Sequence, residues 1–495
     1  MLKRTLVANR GEIACRILRA CNEAGIEGVA IHAANDAGSL FTEIADIAIP
    51  LEGEGLAETY LNQEQILKIA IQNGCDSVHP GFGFLSERAD FAQAVMDSGL
   101  IWIGPSPEAI TQMGDKMTAR ITMKAAGVPV IPGEEVDGGL EEVLAVAPSV
   151  GYPLLLKATA GGGGKGMRAV YEEEHLESEA KAAMREALNA FGDDRVYVER
   201  LLTGSRHIEI QVLADKYGRT IHLGERECSV QRRHQKVFEE SPSVAIDAEL
   251  RQAMGEAACD AARAVNYEGA GTVEFLVTPT GEFFFLEMNT RIQVEHPVTE
   301  MVTGVDLVRE QLRIAGGEAM SCGELNIRGH AIEVRLYAED PANNFLPAIG
   351  QLKRFIPPTG PGVRLDTGVR QGDAVTPYYD PMLAKLIVWA PSRKEALQRM
   401  GRALDEFVVL GCTTNIRFLR ELCDHPEVVD GWTTTDMIDR LWPDGWNPDL
   451  PAIIADAGLL IASACESTNH GRTVTSPSGS SQTPSPFSQL SRRYP

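Results

Sequence analysis

The run from Glu287 to Glu295 places a chemically functional side chain at every second position. Glu287, Asn289, Arg291, Gln293 and Glu295 alternate with Met, Thr, Ile and Val. If the run is an extended strand, these five polar side chains lie on one face, because successive side chains point to opposite faces. A solvated edge strand alternates similarly, but it more often carries Lys, Ser and Thr. We interpret the run as a row that offers oxygen ligands, a cation and a second acid.

A hairpin is predicted immediately before this run. Residues 273–286 read as two strands around the turn sequence at 278–281. A loop of even length would pair Glu274 with Phe285 and leave Glu287 as the diagonal neighbour of Glu274, about 7–8 Å away. A loop of odd length would reverse that register, so this pairing is a hypothesis. Two carboxylates and an amide oxygen favour a hard cation such as Mg²⁺ beside substrate phosphates.

Two lysines and a glycine-rich segment suggest phosphate contacts. Lys116 lies in the first turn of a predicted helix, where a cation opposes the helix dipole unless an anion binds nearby. Lys157 ends a short apolar strand, and a run of four glycines, 161–164, follows it with a lysine. The run formally fits the dinucleotide fingerprint, which is a weak match alone, and it fails the Walker pattern. Glycine N–H groups beside a lysine still suit phosphates, and a plain flexible turn is the alternative.

Other polar segments permit two interpretations each. The loop 79–87 follows a strand end, where binding loops occur, but a glycine turn with a satisfied histidine fits equally well. The run 231–236 is the densest basic segment, and it represents either a solvated face or a set of converging donors. Glu199, at the exit of a strand, is a candidate for contact with a nucleobase edge.

Composition excludes several classes of partner. The 495 residues carry a net charge of −23, which argues against a nucleic acid held by phosphate contacts. No run approaches the ~20 apolar residues of a membrane span. The nine cysteines are scattered without a C-x-x-C pair, which fits buried thiols in a reducing compartment. We therefore expect a cytoplasmic protein with no membrane partner.

The order of elements predicts an α/β fold with an α+β region after it. Strand, helix and strand alternate from Leu6 onward, as in a doubly wound sheet. Residues from Arg328 onward are strand-rich and fit a compact α+β domain. An apolar segment at 447–465 is too short to span a membrane, and the Ser/Thr/Pro-rich tail at 466–495 is expected to be disordered.

Together these motifs resemble the biotin carboxylases, members of the ATP-grasp superfamily. The resemblance covers Leu2 to about Trp446 and rests on five motifs: Ala8–Glu12, His79–Phe84, Gly161–Met167, Gln231–Lys236 and Glu287–Pro297. It implies a doubly wound N-terminal domain at 1–114, an ATP-grasp domain at 115–328 and a C-terminal α+β domain at 329–446. The ATP-grasp domain would carry a mobile glycine-rich lid at about 130–203.

The resemblance also implies a reaction and a set of site residues. ATP would activate bicarbonate as carboxyphosphate, which would carboxylate a ureido nitrogen of biotin. The residues around ATP would be Lys116, Lys157, Gly163, Gly164, Glu199, Arg200, Leu201, Leu202, His207, Gln231 and His234, together with Glu274 and Glu287. Two Mg²⁺ or Mn²⁺ ions would bind Glu274, Glu287 and Asn289. Bicarbonate would bind Lys236, Arg291, Gln293 and the Val294 backbone, with Glu295 as its base. Arg335 would stabilise the biotin enolate, with Asp380 and Phe82 near biotin.

The same resemblance implies partners. The sequence contains no Ala-Met-Lys-Met biotinylation motif, so we expect biotin to arrive on a separate biotin carboxyl carrier protein. Further expectations are a homodimer and a partner carboxyltransferase. The parent enzyme would be an acetyl-CoA carboxylase of fatty acid biosynthesis, another acyl-CoA carboxylase or a pyruvate carboxylase, and the sequence leaves the final acceptor open. Departures from the family are small: Arg200 replaces a lysine of some members, and Phe82 a tyrosine.

Two rival functions share many of these residues. Another ATP-grasp ligase that forms a carbamate or an amide would use the same metal and nucleotide face, but Arg335, Gln293 and the run 231–236 favour biotin. A degenerate nucleotide-sensing protein would be expected to lose its metal ligands or its base. Glu287 and Glu295 are both present, so we expect an active enzyme.

Overall fold

The computed structural model describes residues 2–136, 139–158, 167–191, 194–233, 235–323 and 326–447. Residues up to Trp446 form one compact unit, within which the domain boundaries at 114/115 and 328/329 stay predictions. The glycines Gly163 and Gly164, His234, nearly all of the apolar segment 447–465 and the whole tail 466–495 lie outside the described residues.

The N-terminal region is built on a five-stranded parallel sheet. Its strands are β1 Arg4–Val7, β2 Glu27–His32, β3 Ile47–Pro50, β4 Ser77–His79 and β5 Ile101–Trp102. Its helices are α1 Gly11–Glu23, α2 Leu40–Ile44, α3 Gly55–Glu58, α4 Gln63–Gln72, α5 Ala89–Asp97 and α6 Pro107–Gly114. The strand order β3-β2-β1-β4-β5 reverses direction at β1, which is the doubly wound arrangement. Ligands of such folds bind at the carboxyl ends of the strands beside this reversal, where β4 ends at His79.

A four-stranded antiparallel sheet follows, in the order β6-β9-β7-β8. The elements of this region are α7 Lys116–Ala125, β6 Gly133–Val136, α8 Leu140–Val150, β7 Leu154–Ala158, β8 Met167–Val170, α9 Leu176–Phe191 and β9 Val196–Arg200. Lys157 pairs with Met167, so the strands on either side of the glycine run form a hairpin. Buried aliphatic residues of α8 and α9 pack on this sheet.

The remaining strands are β10 Arg206–Ala214, β11 Thr220–Arg232, β12 Gln235–Ser241, β13 Gly269–Val277, β14 Phe283–Asn289, β15 His330–Tyr337, β16 Glu339–Asp340, β17 Leu346–Pro347, β18 Gly350–Gln351, β19 Arg354–Ile356, β20 Val363–Thr367, β21 Ala374–Val375, β22 Met382–Ala390 and β23 Val408–Leu410. The remaining helices are α10 Ala248–Ala264, α11 His296–Thr303, α12 Leu307–Ala315, α13 Arg393–Glu406, α14 Ile416–Asp424, α15 Pro426–Asp430 and α16 Met437–Leu441. The mixture of parallel and antiparallel sheets with helices confirms the predicted α/β and α+β class.

Eight of these strands form one antiparallel sheet, in the order β14-β13-β10-β11-β12-β15-β22-β20. The pairing of β12 with β15 joins strands from both sides of the predicted boundary at 328/329, with Phe238 opposite Val334 and Glu239 opposite Glu333. Buried charged side chains extend across this sheet from Glu274 to Lys385, although charges are rarely buried without partners. Such a row indicates a functional site rather than a packing layer.

None of the helices in the described part of the chain has the length and apolar character of a membrane span.

Candidate active site

Two adjoining cavities lie along the buried polar row. The larger has a volume of about 750 Å³, and the smaller, which Phe82 lines, has a volume of about 500 Å³. Both are lined by Val294, Arg335, Tyr337 and Asp380. A ligand in one cavity therefore lies close to a ligand in the other, which is the arrangement that a group transfer between two substrates requires.

The hairpin of β13 and β14 brings two carboxylates together at the larger cavity. The loop at 278–282 has an odd number of residues, and a β-bulge next to Glu274 adds Leu286 as an extra residue on β14. Glu274 therefore pairs directly with Glu287, and the predicted pairing of Glu274 with Phe285 is wrong. With an odd loop alone, Glu274 and Glu287 would lie on opposite faces of the sheet. The bulge places both side chains on the same face.

The predicted strand from Glu287 to Glu295 is wrong beyond Asn289. β14 ends at Asn289, and the chain then bends and enters α11 at His296, with Pro297 in the first turn. Proline suits that position because its missing N–H has no partner there in any helix. Glu295 directly precedes the helix and is 2% exposed. The polar residues of the run still line one cavity, but a bend rather than strand alternation brings them there.

Lys236 holds three carboxylates at the centre of the larger cavity. Its Nζ lies 2.5 Å from Glu209 Oε2, 3.0 Å from Glu274 Oε1 and 2.7 Å from Glu295 Oε1. Burial alone would lower the pKa of Lys236, but these three carboxylates hold it well above its ordinary value. Burial would likewise raise the pKa of Glu295, but Lys236 and Arg335 hold it below the usual range. Both groups are therefore charged near neutral pH.

Arg335 lies where the two cavities meet. Its Nη2 donates to Glu295 Oε2 at 3.0 Å, and its Nε donates to Glu239 Oε1 at 2.6 Å. Burial raises the pKa of Glu239 to about 7, although the Arg335 guanidinium opposes the rise. The guanidinium is thus oriented by two carboxylates, and Arg335 lines both cavities.

The predicted bicarbonate residues Lys236, Arg291, Gln293 and Val294 all line the larger cavity. Arg291 Nη2 donates to Asn289 Oδ1 at 3.1 Å, and Gln293 Nε2 donates to Glu274 Oε1 at 2.7 Å. Cationic and amide donors on one wall suit a small planar anion. The structure brings this set together, and the individual roles stay predictions.

The predicted nucleotide residues divide into three groups. Those that line the larger cavity are Lys116, Lys157, Leu202, His207, Gln231, Glu274 and Glu287. Glu199 forms an ion pair with Lys157 on the neighbouring strand, whereas Arg200 and Leu201 use their backbone N–H groups to bind the carbonyls of Pro132 and Pro153, both at 2.9 Å. Gly163, Gly164 and His234 are not among the described residues.

The acidic corner of the larger cavity fits a hard cation. The neighbouring Glu274 carboxylate, and then burial, raise the pKa of Glu287, because two close negative charges repel each other. A divalent cation between them would remove that repulsion. Asn289 adds an amide oxygen, and carboxylate and amide oxygens are the ligands that Mg²⁺ prefers.

Comparisons with known proteins agree with this geometry. The chain matches "Biotin carboxylase, N-terminal domain" over residues 1–110, "Carbamoyl-phosphate synthase L chain, ATP binding domain" over 115–322 and "Biotin carboxylase C-terminal domain" over 333–440. Biotin carboxylase of Nostoc sp. is 50% identical over 442 residues, which are 88% of this chain and 98% of that protein. The chain belongs to the biotin carboxylase family. Biotin carboxylases are ATP-dependent ligases that form a carbon–nitrogen bond, and this chain is one of them.

Further relatives of this biotin carboxylase come from different parent enzymes. The matching polypeptide of the pyruvate carboxylase of Methanothermobacter thermautotrophicus is 48% identical over 445 residues, 89% of this chain and 90% of that one. A solved structure shows the biotin carboxylase domain dimer of Hydrogenobacter thermophilus 2-oxoglutarate carboxylase with MgADP, ADP and bicarbonate. It aligns with a TM-score of 0.84 and 44% identity, covering 90% of this chain and 98% of that one.

Several residues around this biotin carboxylase site were not predicted. Glu209 contacts Lys236, Glu87 lies 3.0 Å from the Nε of Arg291, and Lys385 donates to the Val294 carbonyl at 2.8 Å. The sequence indicated a role for Glu209, because it lies two residues from His207 and therefore shares the same polar face of the strand. Glu87 belongs to the candidate binding loop 79–87, but nothing in the sequence paired it with Arg291, and Lys385 had no signal.

Proposed function

We propose that this biotin carboxylase uses ATP and bicarbonate to carboxylate carrier-bound biotin, as the first half-reaction of an acyl-CoA or pyruvate carboxylase. The observation that carries the proposal is the meeting of two cavities at Arg335, which contacts Glu295 in the larger cavity, with Lys236 bound to the same carboxylate. The larger cavity offers the lysines and acids that a nucleotide with its metal requires. The smaller, bordered by Phe82, is the place for the biotin ring.

The first chemical step needs a base and a fixed anion. Arg291, Gln293 and Lys236 would hold bicarbonate, and Glu295 would take its remaining proton while an oxygen of bicarbonate attacks the γ-phosphorus of ATP and ADP leaves. A bound anion competes with Glu295 for the N–H groups of Lys236 and Arg335. The pKa of Glu295 therefore rises when bicarbonate binds, which makes it a stronger base at the moment of use.

The second step transfers the carboxyl group. The bond between the carboxyl carbon and the phosphate oxygen of carboxyphosphate breaks, and a bond from that carbon to the ureido nitrogen forms. The leaving phosphate takes up the proton that this nitrogen loses. Negative charge develops on the ureido oxygen, and Arg335 would meet it with a guanidinium already oriented by Glu239. Asp380 and Phe82 would border the ring.

Glu274, Glu287 and Asn289 would hold two Mg²⁺ or Mn²⁺ ions with the phosphates of ATP. The ions would supply charge neutralisation to the transferred phosphoryl group. The ring nitrogen of His207 lies 2.9 Å from Glu274 Oε2, and it would act as a positive neighbour of that carboxylate.

The test of the proposed function is ATP hydrolysis in the presence of candidate co-substrates. We expect bicarbonate together with free biotin, or with a biotinylated carrier domain, to stimulate hydrolysis, and ¹⁴C-bicarbonate to label biotin. Stimulation by an amine or an amino acid instead would support a carbamate- or amide-forming ligase. Hydrolysis that responds to neither would contradict the proposal.

Replacing Glu287 by Gln is expected to weaken the binding of MgATP by about tenfold or more. The variant keeps the size of the side chain but removes one of two paired carboxylates that would hold the metal. Isothermal titration with MgATP, and with ATP in EDTA, measures the effect. Glu282→Gln, an exposed glutamate on the same hairpin, is the matched control. Equal MgATP affinities for both variants would rule out the metal role of Glu287.

The parent enzyme stays open. Relatives of similar identity belong to a pyruvate carboxylase and a 2-oxoglutarate carboxylase, so we propose no single acceptor and no assignment to fatty acid biosynthesis. We propose a homodimer, supported by the dimer of the solved relative, and a cytoplasmic location. Sedimentation tests the first, fractionation of the native host tests the second, and purification of the native complex identifies the carrier and the carboxyltransferase.

A further inference from the structure

Arg226 on β11 is a completely buried arginine beside the larger cavity but outside its lining. Its guanidinium contacts five side chains from four different segments. Nε donates to Glu209, Nη1 to Gln211 at 2.7 Å and to Thr299 at 3.0 Å, and Nη2 to Thr272 at 3.0 Å and to Gln293 at 2.8 Å. An arginine has five N–H groups, so every donor is used. The guanidinium therefore has one defined orientation.

The contact with Gln293 determines how its amide is turned. Guanidinium groups donate only, so the atom facing Arg226 must be the amide oxygen, Oε1. On the other side Gln293 Nε2 donates to Glu274 Oε1 at 2.7 Å. The same Oε1 accepts from the ammonium of Lys236 at 3.0 Å, and an ammonium can only donate, so this oxygen is an acceptor. Both neighbours thus select the same orientation, with the N–H groups on the cavity side.

The geometry points to Arg226 as a positioning residue that fixes the Gln293 amide with its donor toward the bicarbonate subsite. This inference rests on the proposed role of Gln293 in holding bicarbonate. An amide in the opposite orientation would present an acceptor to the anion and repel it. Arg226 touches no substrate in this arrangement, and it acts through the side chain of Gln293.

Arg226→Lys tests the inference without removing the buried charge. Lysine keeps a cation beside Glu209, but its ammonium has three donors on a single atom and no fork for Gln293. We expect the KM for bicarbonate to rise at least about tenfold, because one charge-assisted hydrogen bond is lost. The KM for ATP should stay within about twofold of the wild-type value. Thr299→Val is the matched control, because it removes another acceptor of the same guanidinium and leaves Gln293 in place. Its KM for bicarbonate should match the wild type.

Two Gln293 variants complete the design and do not depend on the folding of Arg226→Lys. Gln293→Glu keeps an acceptor for Arg226 but turns a carboxylate oxygen toward the anion, so it should raise the KM for bicarbonate more than Gln293→Ala does. Adding Arg226→Lys to Gln293→Ala should change the KM for bicarbonate by less than about twofold, because the side chain through which Arg226 acts is already absent.

The outcomes separate the role of Gln293 from that of Arg226. If Gln293→Ala leaves the KM for bicarbonate unchanged, the proposed role of Gln293 fails and the inference falls with it. Two results would overturn only the inference about Arg226, provided that Gln293→Ala raises the KM for bicarbonate. One is that Arg226→Lys raises the KM for ATP as much as the KM for bicarbonate. The other is that Gln293→Glu raises the KM for bicarbonate no more than Gln293→Ala does. A bicarbonate-specific effect of Arg226→Lys that disappears in the Gln293→Ala background supports the inference about Arg226.

Discussion

Replacing Glu295 by Gln is expected to reduce bicarbonate-dependent ATP hydrolysis by about 10²–10⁴-fold, the usual contribution of a positioned general base. Glutamine keeps the size of the side chain and one oxygen that accepts from Lys236 or Arg335, but it takes up no proton. The KM for ATP should change by less than about twofold, because the lysines and acids of the nucleotide end remain. Steady-state hydrolysis with and without bicarbonate measures both quantities.

The matched control for this variant is Glu310→Gln. Glu310 is 4% exposed, close to the 2% of Glu295, but it lies on α12 and lines neither cavity. It accepts from the backbone N–H of Ser321 at 2.8 Å, so its loss should affect stability alone. Wild-type bicarbonate-dependent hydrolysis in Glu295→Gln would show that the proton is taken by another group.

The second large effect is expected from Arg335→Lys. Lysine preserves the charge, but its three N–H groups lie on one atom, so it lacks the planar fork that contacts Glu239 and Glu295 through separate nitrogens and presents a fixed donor to biotin. We expect biotin carboxylation to fall by about 10²–10³-fold, comparable to the loss of one donor that stabilises a developing oxyanion. ATP binding should be retained, because Arg335 is not among the residues proposed to surround ATP.

Labelling of biotin by ¹⁴C-bicarbonate, compared with MgATP affinity in the same preparation, measures this separation of effects. Arg251→Lys serves as its control: Arg251 forms a similar fork to a buried carboxylate, with both nitrogens 2.7 Å from Glu225, outside both cavities. Normal biotin carboxylation in Arg335→Lys would exclude the role in enolate stabilisation. A parallel loss of MgATP affinity would instead indicate a general structural role.

The chemistry of the site could be predicted from local patterns, but its geometry could not. The closeness of Glu274 and Glu287 followed from two strands and a turn. The actual register depends on a bulge at Leu286, which pairing rules do not reveal. The chain leaves β14 after Asn289, and Pro297 was a readable sign of a helix start that the alternating pattern obscured.

Contacts between distant segments had no local signal at all. Arg226 is separated by 67 residues from Gln293, and Lys385 by 91 residues from Val294. Arg226 and Lys385 are charged residues in strands whose other residues suggest burial. Only the assembled sheet shows which groups accept their hydrogen bonds. Their presence is visible in the sequence, whereas their function depends on tertiary structure.

The hydrogen-bonded pairing of β12 with β15 limits where such chains can be cut or fused to other sequences. A protein cut or fused at residue 329 would leave both strands with an open edge, and open edges recruit other strands and cause aggregation. A foreign C-terminal segment would also have to reproduce the register that sets Glu239 opposite Glu333. The two halves are therefore expected to be inherited, exchanged and engineered as a single module.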